Sequence, residues 1–273
     1  MANQAVQPGP VPRGRPLAEI RIRRIRLSAP FGWLAAGWRD LWAAPQISLL
    51  YGAAFAALAL AMAAGLLQFG LQSLILALGG GFLLIGPLVA VGLYETSRRL
   101  EAGEPVTLAT VARAGSKAPI QLALFGIILV LAYVIWVHLA FMLFTLFMDG
   151  QAVPPASEFV PLLLFSSHGL SLLAVGTTVG GVIAGFVFTI SAISVPLLMT
   201  RQVDVISAMA ASAEAVVLNL KPMMLWAALI ASLIALGLST FFIGLMFAFP
   251  LIGHATWHAY RSLVEGRIPR DFG

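Results

Sequence analysis

Between Asp40 and Glu95 the chain runs for 54 residues without a charged side chain. Three further uncharged runs follow: 31 residues between Lys117 and Asp149, 42 between Glu158 and Arg201, and 39 between Lys221 and Arg261. A helix that crosses the hydrocarbon core of a bilayer needs about 20 apolar residues, so each run is long enough to cross at least once. Only 10% of the residues are charged and 60% are hydrophobic, whereas a soluble domain is roughly a quarter charged. The sequence therefore reads as an all-α polytopic membrane protein.

Charge asymmetry decides how the four runs divide. If the basic amino end (Arg13, Arg15, Arg21, Arg23, Arg24, Arg26) stays in the cytoplasm and the runs hold two, one, one and two crossings, all 16 Lys and Arg lie inside. The outside then receives only Asp149 and Glu158, the bias expected of the positive-inside rule. Two crossings in the third run would export Arg201, Lys221 and Arg261. The expectation is six transmembrane helices, at about 46–67, 73–94, 119–148, 169–200, 222–238 and 241–260, in a bacterial inner membrane with both termini cytoplasmic.

Outside the spans, residues 1–27 are expected to form a disordered Pro/Arg-rich cytoplasmic terminus, 28–268 the single transmembrane domain and 269–273 a tail. The first 19 residues lack the apolar core of a cleavable signal peptide, so the first crossing is expected to direct insertion. Phe31, Leu34, Trp38, Leu41 and Trp42 recur at helical spacing and predict an amphipathic helix on the cytoplasmic surface. Ile206, Met209, Ala213, Val216, Val217 and Leu220 predict a second. The pattern of surface helix, proline, outward helix and inward helix then occurs three times, as three hairpins. Each inward helix carries a Pro-Leu pair, at Pro87, Pro196 and Pro250, and eight residues later a polar exit: Glu95, Asp204 and His258. Arg98 and Arg261 stand three residues further on, with Glu95 placed to pair with Arg98 or Arg99 at helical spacing.

The chain has no cysteine, which excludes disulfides, thiolate-held clusters and a cysteine nucleophile. Its net charge of +5 is assigned to lipid headgroups beside the membrane helices, not to nucleic acid. Of the four histidines, His254 and His258 share a helix face, while His138 and His168 lie in the outer halves of two neighbouring crossings; these are the candidate haem ligands. Gly176, Gly180, Gly181 and Gly185 form two small-xxx-small steps expected to pack helices closely, with a Gly-lined substrate path as the alternative. No Asp, Glu, Lys or Arg falls near the middle of a span, and no GxSxG or HExxH motif occurs. No catalytic constellation, metal site or cofactor is expected.

The segment "RIRLSAPFGWLAAGWRDLWAAPQISLLYGAAFA", with Gly37, Trp38 and Asp40, and the later "GPLVAVGLYETSRRLEAGEPV", with Gly86, Pro87, Gly92, Tyr94 and Glu95, carry a resemblance. They resemble a family of predicted proteobacterial inner-membrane proteins, the domain-of-unknown-function family numbered 2189. The resemblance implies location and topology without an activity. The expected role is a non-catalytic membrane component or assembly factor, with the bilayer and other membrane proteins or further copies of the chain as partners. The alternatives are a transporter or channel for a neutral or lipid-like substrate, and a b-type haem protein.

Overall fold

A computed structural model of the chain describes residues 20–71, 74–148 and 156–264. The described residues form helices and turns with one isolated antiparallel bridge, between Ile22 and Val264. Residues 1–19, 149–155 and 265–273 lie outside the described residues, and with them most of the expected amino-terminal segment and the carboxy-terminal tail.

The first corner shows how the sequence sets direction. Helix α1 (Ala29–Ala43) ends at Ala44, whose φ of −132° and ψ of 60° leave the helical region, and Pro45 opens α2 (Pro45–Gln68). A proline ring clashes with a helical residue before it but fits the first turn of the next helix. The same device turns the chain at Ala118, where α7 (Pro119–Phe147) follows a 3-10 turn over Ala114–Lys117.

Between these corners the expected crossing at 73–94 is three pieces: α3 (Leu74–Leu84), α4 (Gly86–Val89) and α5 (Val91–Ala102). Pro87 lacks an N–H and crowds the carbonyl four residues earlier, so the helix breaks just before it. Helix α6 (Leu108–Ala112) starts at a capping box in which Thr107 and Thr110 bond reciprocally. After α8 (Ala156–Phe165), α9 (Ser167–Ser191) is capped by Ser166, whose hydroxyl accepts from Gly169 N at 2.9 Å. The chain breaks again at Ala192 and Ile193, and α10 (Ser194–Thr200) carries Pro196 in its first turn. The remaining elements are α11 (Val205–Leu218), α12 (Leu220–Ser239) and α13 (Leu245–Leu263).

Among the described residues four helices are long and apolar enough to cross a membrane: Pro45–Gln68, Pro119–Phe147, Ser167–Thr200 and Leu220–Ser239. They coincide with four of the six expected crossings. The second is interrupted as described, and at the sixth stands α13, a helix of 19 residues that is mostly buried in protein. It packs against α1, α2, α5 and α12. Two glycines make that centre possible. A Cβ on Gly37 of α1 would lie 2.7 Å from Ala255 N, and one on Gly52 of α2 would collide with the Met246 carbonyl. Pro250 has no N–H to offer that carbonyl, and Gly52 lets α2 settle directly on it.

Helix α1 divides its aromatic residues between two faces. Trp33 and Leu41 are buried, with the Trp33 ring edge-on to Trp226 at 5.6 Å, whereas Phe31, Trp38 and Trp42 are exposed. The outward tryptophans suit a headgroup boundary, whereas Leu41, expected on the same apolar face, is buried. The amino-terminal boundary is corrected: residues 20–27, expected to be disordered, form a strap. Arg23 N donates to Leu263 O at 2.8 Å, Ile25 N donates to Asn219 Oδ1 at 2.9 Å, and Asn219 Nδ2 donates to Arg23 O at 2.9 Å. Ile20, Ile22 and Ile25 pack on the core, so apolar burial and backbone pairing order this stretch despite its arginines.

Candidate functional site

Two features stand out: a polar lattice at the end of the bundle that carries α1 and α5, and an apolar cavity running away from it.

The lattice begins at Glu95, which is 0% exposed and accepts from Arg98 Nε at 2.9 Å, Arg99 Nε at 2.8 Å and Lys117 Nζ at 2.9 Å. Arg98 also reaches Glu104 at 2.7 Å. Burial alone would raise the Glu95 carboxyl, but the hydrogen bonds from Arg98 and Lys117 outweigh it and hold the group below its ordinary value. Glu104, half in solvent, is lowered first by its hydrogen bond from Arg98. Next to this group, Glu101 accepts from Trp257 Nε1 at 2.9 Å and from Arg261 Nε at 2.9 Å, tying α5 to α13. Asp40 of α1 meets His258 Nε2 at 2.8 Å; burial raises its carboxyl, and the hydrogen bonds from His258 and Ser97 together with the nearby imidazoles more than reverse that.

His254 is 0% exposed and has both ring nitrogens engaged, Nε2 with Ser48 Oγ at 2.9 Å and Nδ1 with Ser97 Oγ at 2.8 Å. Ser48 donates its hydroxyl hydrogen to Ala44 O at 2.9 Å. Both ring nitrogens are thus occupied by serine hydroxyls. This locks the ring between α2 and α5 and leaves neither nitrogen for iron.

The other sequence candidates are dispersed. His138 is exposed, with Nδ1 bonded to Val134 O at 2.8 Å, and His168 is exposed on α9. Among the described residues no group of three or more His, Cys, Asp or Glu is arranged to hold a metal ion. Asp204 is the N-cap of α11, accepting from Ser207 N at 2.9 Å and from the Ser207 hydroxyl at 2.8 Å, and these bonds lower its carboxyl. It shares its place in the repeat with Glu95 and His258 but not their cross-helix partners. Ser48 and Ser97 were not singled out from the sequence. The signal was the pair His254 and His258 on one face of a buried helix, which demands polar neighbours from other elements.

The cavity has a volume of about 1000 Å³ and lies among α3, α4, α7, α8, α9, α12 and α13. It extends from Phe144 and Phe159, near the far end of α7, to Tyr94, Ser191, Gly253 and Thr256 beside the lattice. Among the described residues its lining contains no Asp, Glu, Lys, Arg or His. Gly176, Gly180, Gly181 and Gly185 all line it. The close-packing expectation for these glycines is corrected: only Gly180 has a near neighbour, the Trp136 ring, where a Cβ would lie 2.8 Å away, and the other three face open space.

No curated protein and no solved structure matches the chain. Residues 74–200 match the family described as Predicted integral membrane protein (DUF2189), the family the sequence resembles, and with its several apolar helices the chain is an integral membrane protein.

Proposed function

We propose that this protein binds and carries a neutral, lipid-like molecule in the cavity between its hairpins, and that it is not a catalyst. The supporting observation is the cavity itself, wide, uncharged and lined by the glycines of α9. The space opens between helices and several of its apolar lining residues, Phe141 and Met224 among them, are exposed, so an apolar molecule from the bilayer suits it better than water, which needs two to four polar partners when buried.

The reading includes six crossings in three hairpins, with the lattice end in the cytoplasm of a bacterial inner membrane, as the basic residues favour. An assembly factor docking through its charged helix exits is supported less, because Glu95, Glu101 and Glu104 are satisfied by Arg98, Arg99, Lys117 and Arg261 within the chain.

The test is to purify the protein into nanodiscs of defined phospholipid after gentle extraction and to measure retained native lipid by mass spectrometry. Retention of a neutral lipid at about one per protein is expected, with loss in Gly176→Phe, whose side chain would enter the open space. Equal lipid content in the wild type, the variant and empty nanodiscs would refute the reading.

A further inference from the structure

Two hydroxyl groups at the lattice end of the cavity lack protein partners. Tyr94 is 3% exposed and Ser191 is 4% exposed, and both line the cavity. Among the described residues no protein group hydrogen-bonds to either side chain. The neighbouring hydroxyls differ: Thr96 donates to Gly92 O at 2.8 Å, Ser194 to Ile190 O at 2.6 Å, Thr200 meets Tyr260 at 2.6 Å, and Thr256 donates to Ile252 O at 2.7 Å. Local helix carbonyls therefore satisfy the nearby buried hydroxyls, and Tyr94 and Ser191 are the exceptions. A buried hydroxyl without a partner is costly, and native structures rarely leave one so.

Their positions are fixed by the lattice. Tyr94 stands one helical turn before Ser97, and Thr256 stands two residues after His254, to which Ser97 is bonded at 2.8 Å. Because α5 and α13 run in parallel, with Leu93 against Gly253 and Glu101 bonded to Trp257, Tyr94 lies before the Ser97–His254 contact, beside Gly253, and Thr256 lies beyond it. Ser191 ends α9 where Ser212 Oγ of α11 donates to Thr189 O at 2.8 Å. Two buried hydroxyl residues from different segments thus line an otherwise apolar space.

Resting on the ligand-binding reading above, we propose that Tyr94 and Ser191 anchor the head of the bound molecule. The class this selects is a long apolar chain ending in an uncharged oxygen group, a hydroxyl, ester or ketone, with diacylglycerol as a representative. An ionised head is disfavoured because no cationic or anionic side chain lines the cavity, and an unpaired charge there would be strongly penalised. A hydroxyl can donate to or accept from either anchor, which suits a head that is neither a pure donor nor a pure acceptor.

The experiment uses the full chain in nanodiscs and three probes carrying the same photoreactive acyl chain: a diacylglycerol, a phosphatidic acid and a hydrocarbon without a head. Crosslinking is measured for the wild type, Tyr94→Phe, Ser191→Ala, the double variant and Gly176→Phe, each checked for monodispersity. The diacylglycerol is expected to label best in the wild type. The double variant should lose about tenfold in diacylglycerol affinity with hydrocarbon labelling unchanged, and Gly176→Phe should lose both. Equal loss of both probes in the double variant, no loss of either, or phosphatidic acid binding as tightly as diacylglycerol would overturn the anchor while leaving the cavity reading standing. Absence of specific labelling by every probe in the wild type would overturn both.

Discussion

Replacing Glu95 with glutamine keeps the shape of the side chain and removes one charge from the most buried ion cluster described. Glu95 is 0% exposed, and its partners Arg98, Arg99 and Lys117 are 14%, 20% and 16% exposed. In the variant Glu104 still holds Arg98 at 2.7 Å and Arg99 at 3.4 Å. Lys117 loses the one carboxylate paired with it among the described residues. Removing one member of a buried pair costs about 3–5 kcal/mol, and with Glu104 retained the lower end, about 3 kcal/mol, is expected. At about 2–4 °C per kcal/mol for a chain of this size, Tm falls by about 6–12 °C. The assay is thermal unfolding in one detergent at pH 7, comparing the wild type, Glu95→Gln, and Glu95→Gln with Lys117→Met. The double variant should recover part of the loss, because the uncompensated ammonium is gone. The same carboxyl gives a pH signature. Held below its ordinary value of 4.5, it contributes stability fully above that value and loses it as pH falls through the lower folded value. Wild-type Tm should therefore drop in acid below about pH 4.5, and Glu95→Gln should lose part of that drop. A Tm change under about 2 °C at pH 7, or a double variant no better than the single, would refute the reasoning.

Three further outcomes are expected. Gly37→Leu forces a side chain into the Ala255 backbone and should cost at least about 1–3 kcal/mol, whereas Gly32→Ala, with nothing within 4 Å, should be neutral or stabilising by up to about 1 kcal/mol; opposite signs in thermal unfolding check the pair. Ser97→Ala strips His254 Nδ1 of its partner in a fully buried place and should cost about 1–3 kcal/mol, readable as a lower Tm. Asn219→Ala releases the strap at Ile25 N and Arg23 O, so amide exchange over residues 22–26 and tryptic cutting at Arg23 to Arg26 should accelerate, with unchanged protection counting against the clamp.

Local features were legible because their physics is local. The Ala-Pro corners follow from the steric demand of Pro45 and Pro119 on the residue before. The pairing of Glu95 with Arg98 and Arg99 follows from helical spacing. Contacts between distant residues were not legible. Asp40 and His258 stand 218 residues apart, and Ser48 and His254 stand 206 apart, so nothing in either neighbourhood announces its partner. The glycines of α9 misled for a related reason. Small residues at four-residue steps permit close packing, but they equally leave room, and only the bulk of the opposite helix decides; here one of four meets it.

The cavity is lined where two helices break. Gly86, Pro87 and Ala90 line it at the first break and Ser191 and Ala192 at the second, with Phe249, Ile252 and Gly253 beside Pro250 of the continuous α13. An unbroken helix would carry the first two segments straight along their neighbours and close the space between them. A proline near each break interrupts the ladder of hydrogen bonds, and the segment that follows, α5 or α10, is buried. The ion pairs of Glu95 and Glu101 and the locked ring of His254 then hold the lattice end together. Rigid polar pairing at one end, and glycine with no large neighbour along α9, keep a space open that apolar packing alone would fill. Two of the three polar exits first visible as a sequence repeat, Glu95 and His258, thus belong to the lattice that stands beside the cavity, while Asp204 only caps α11.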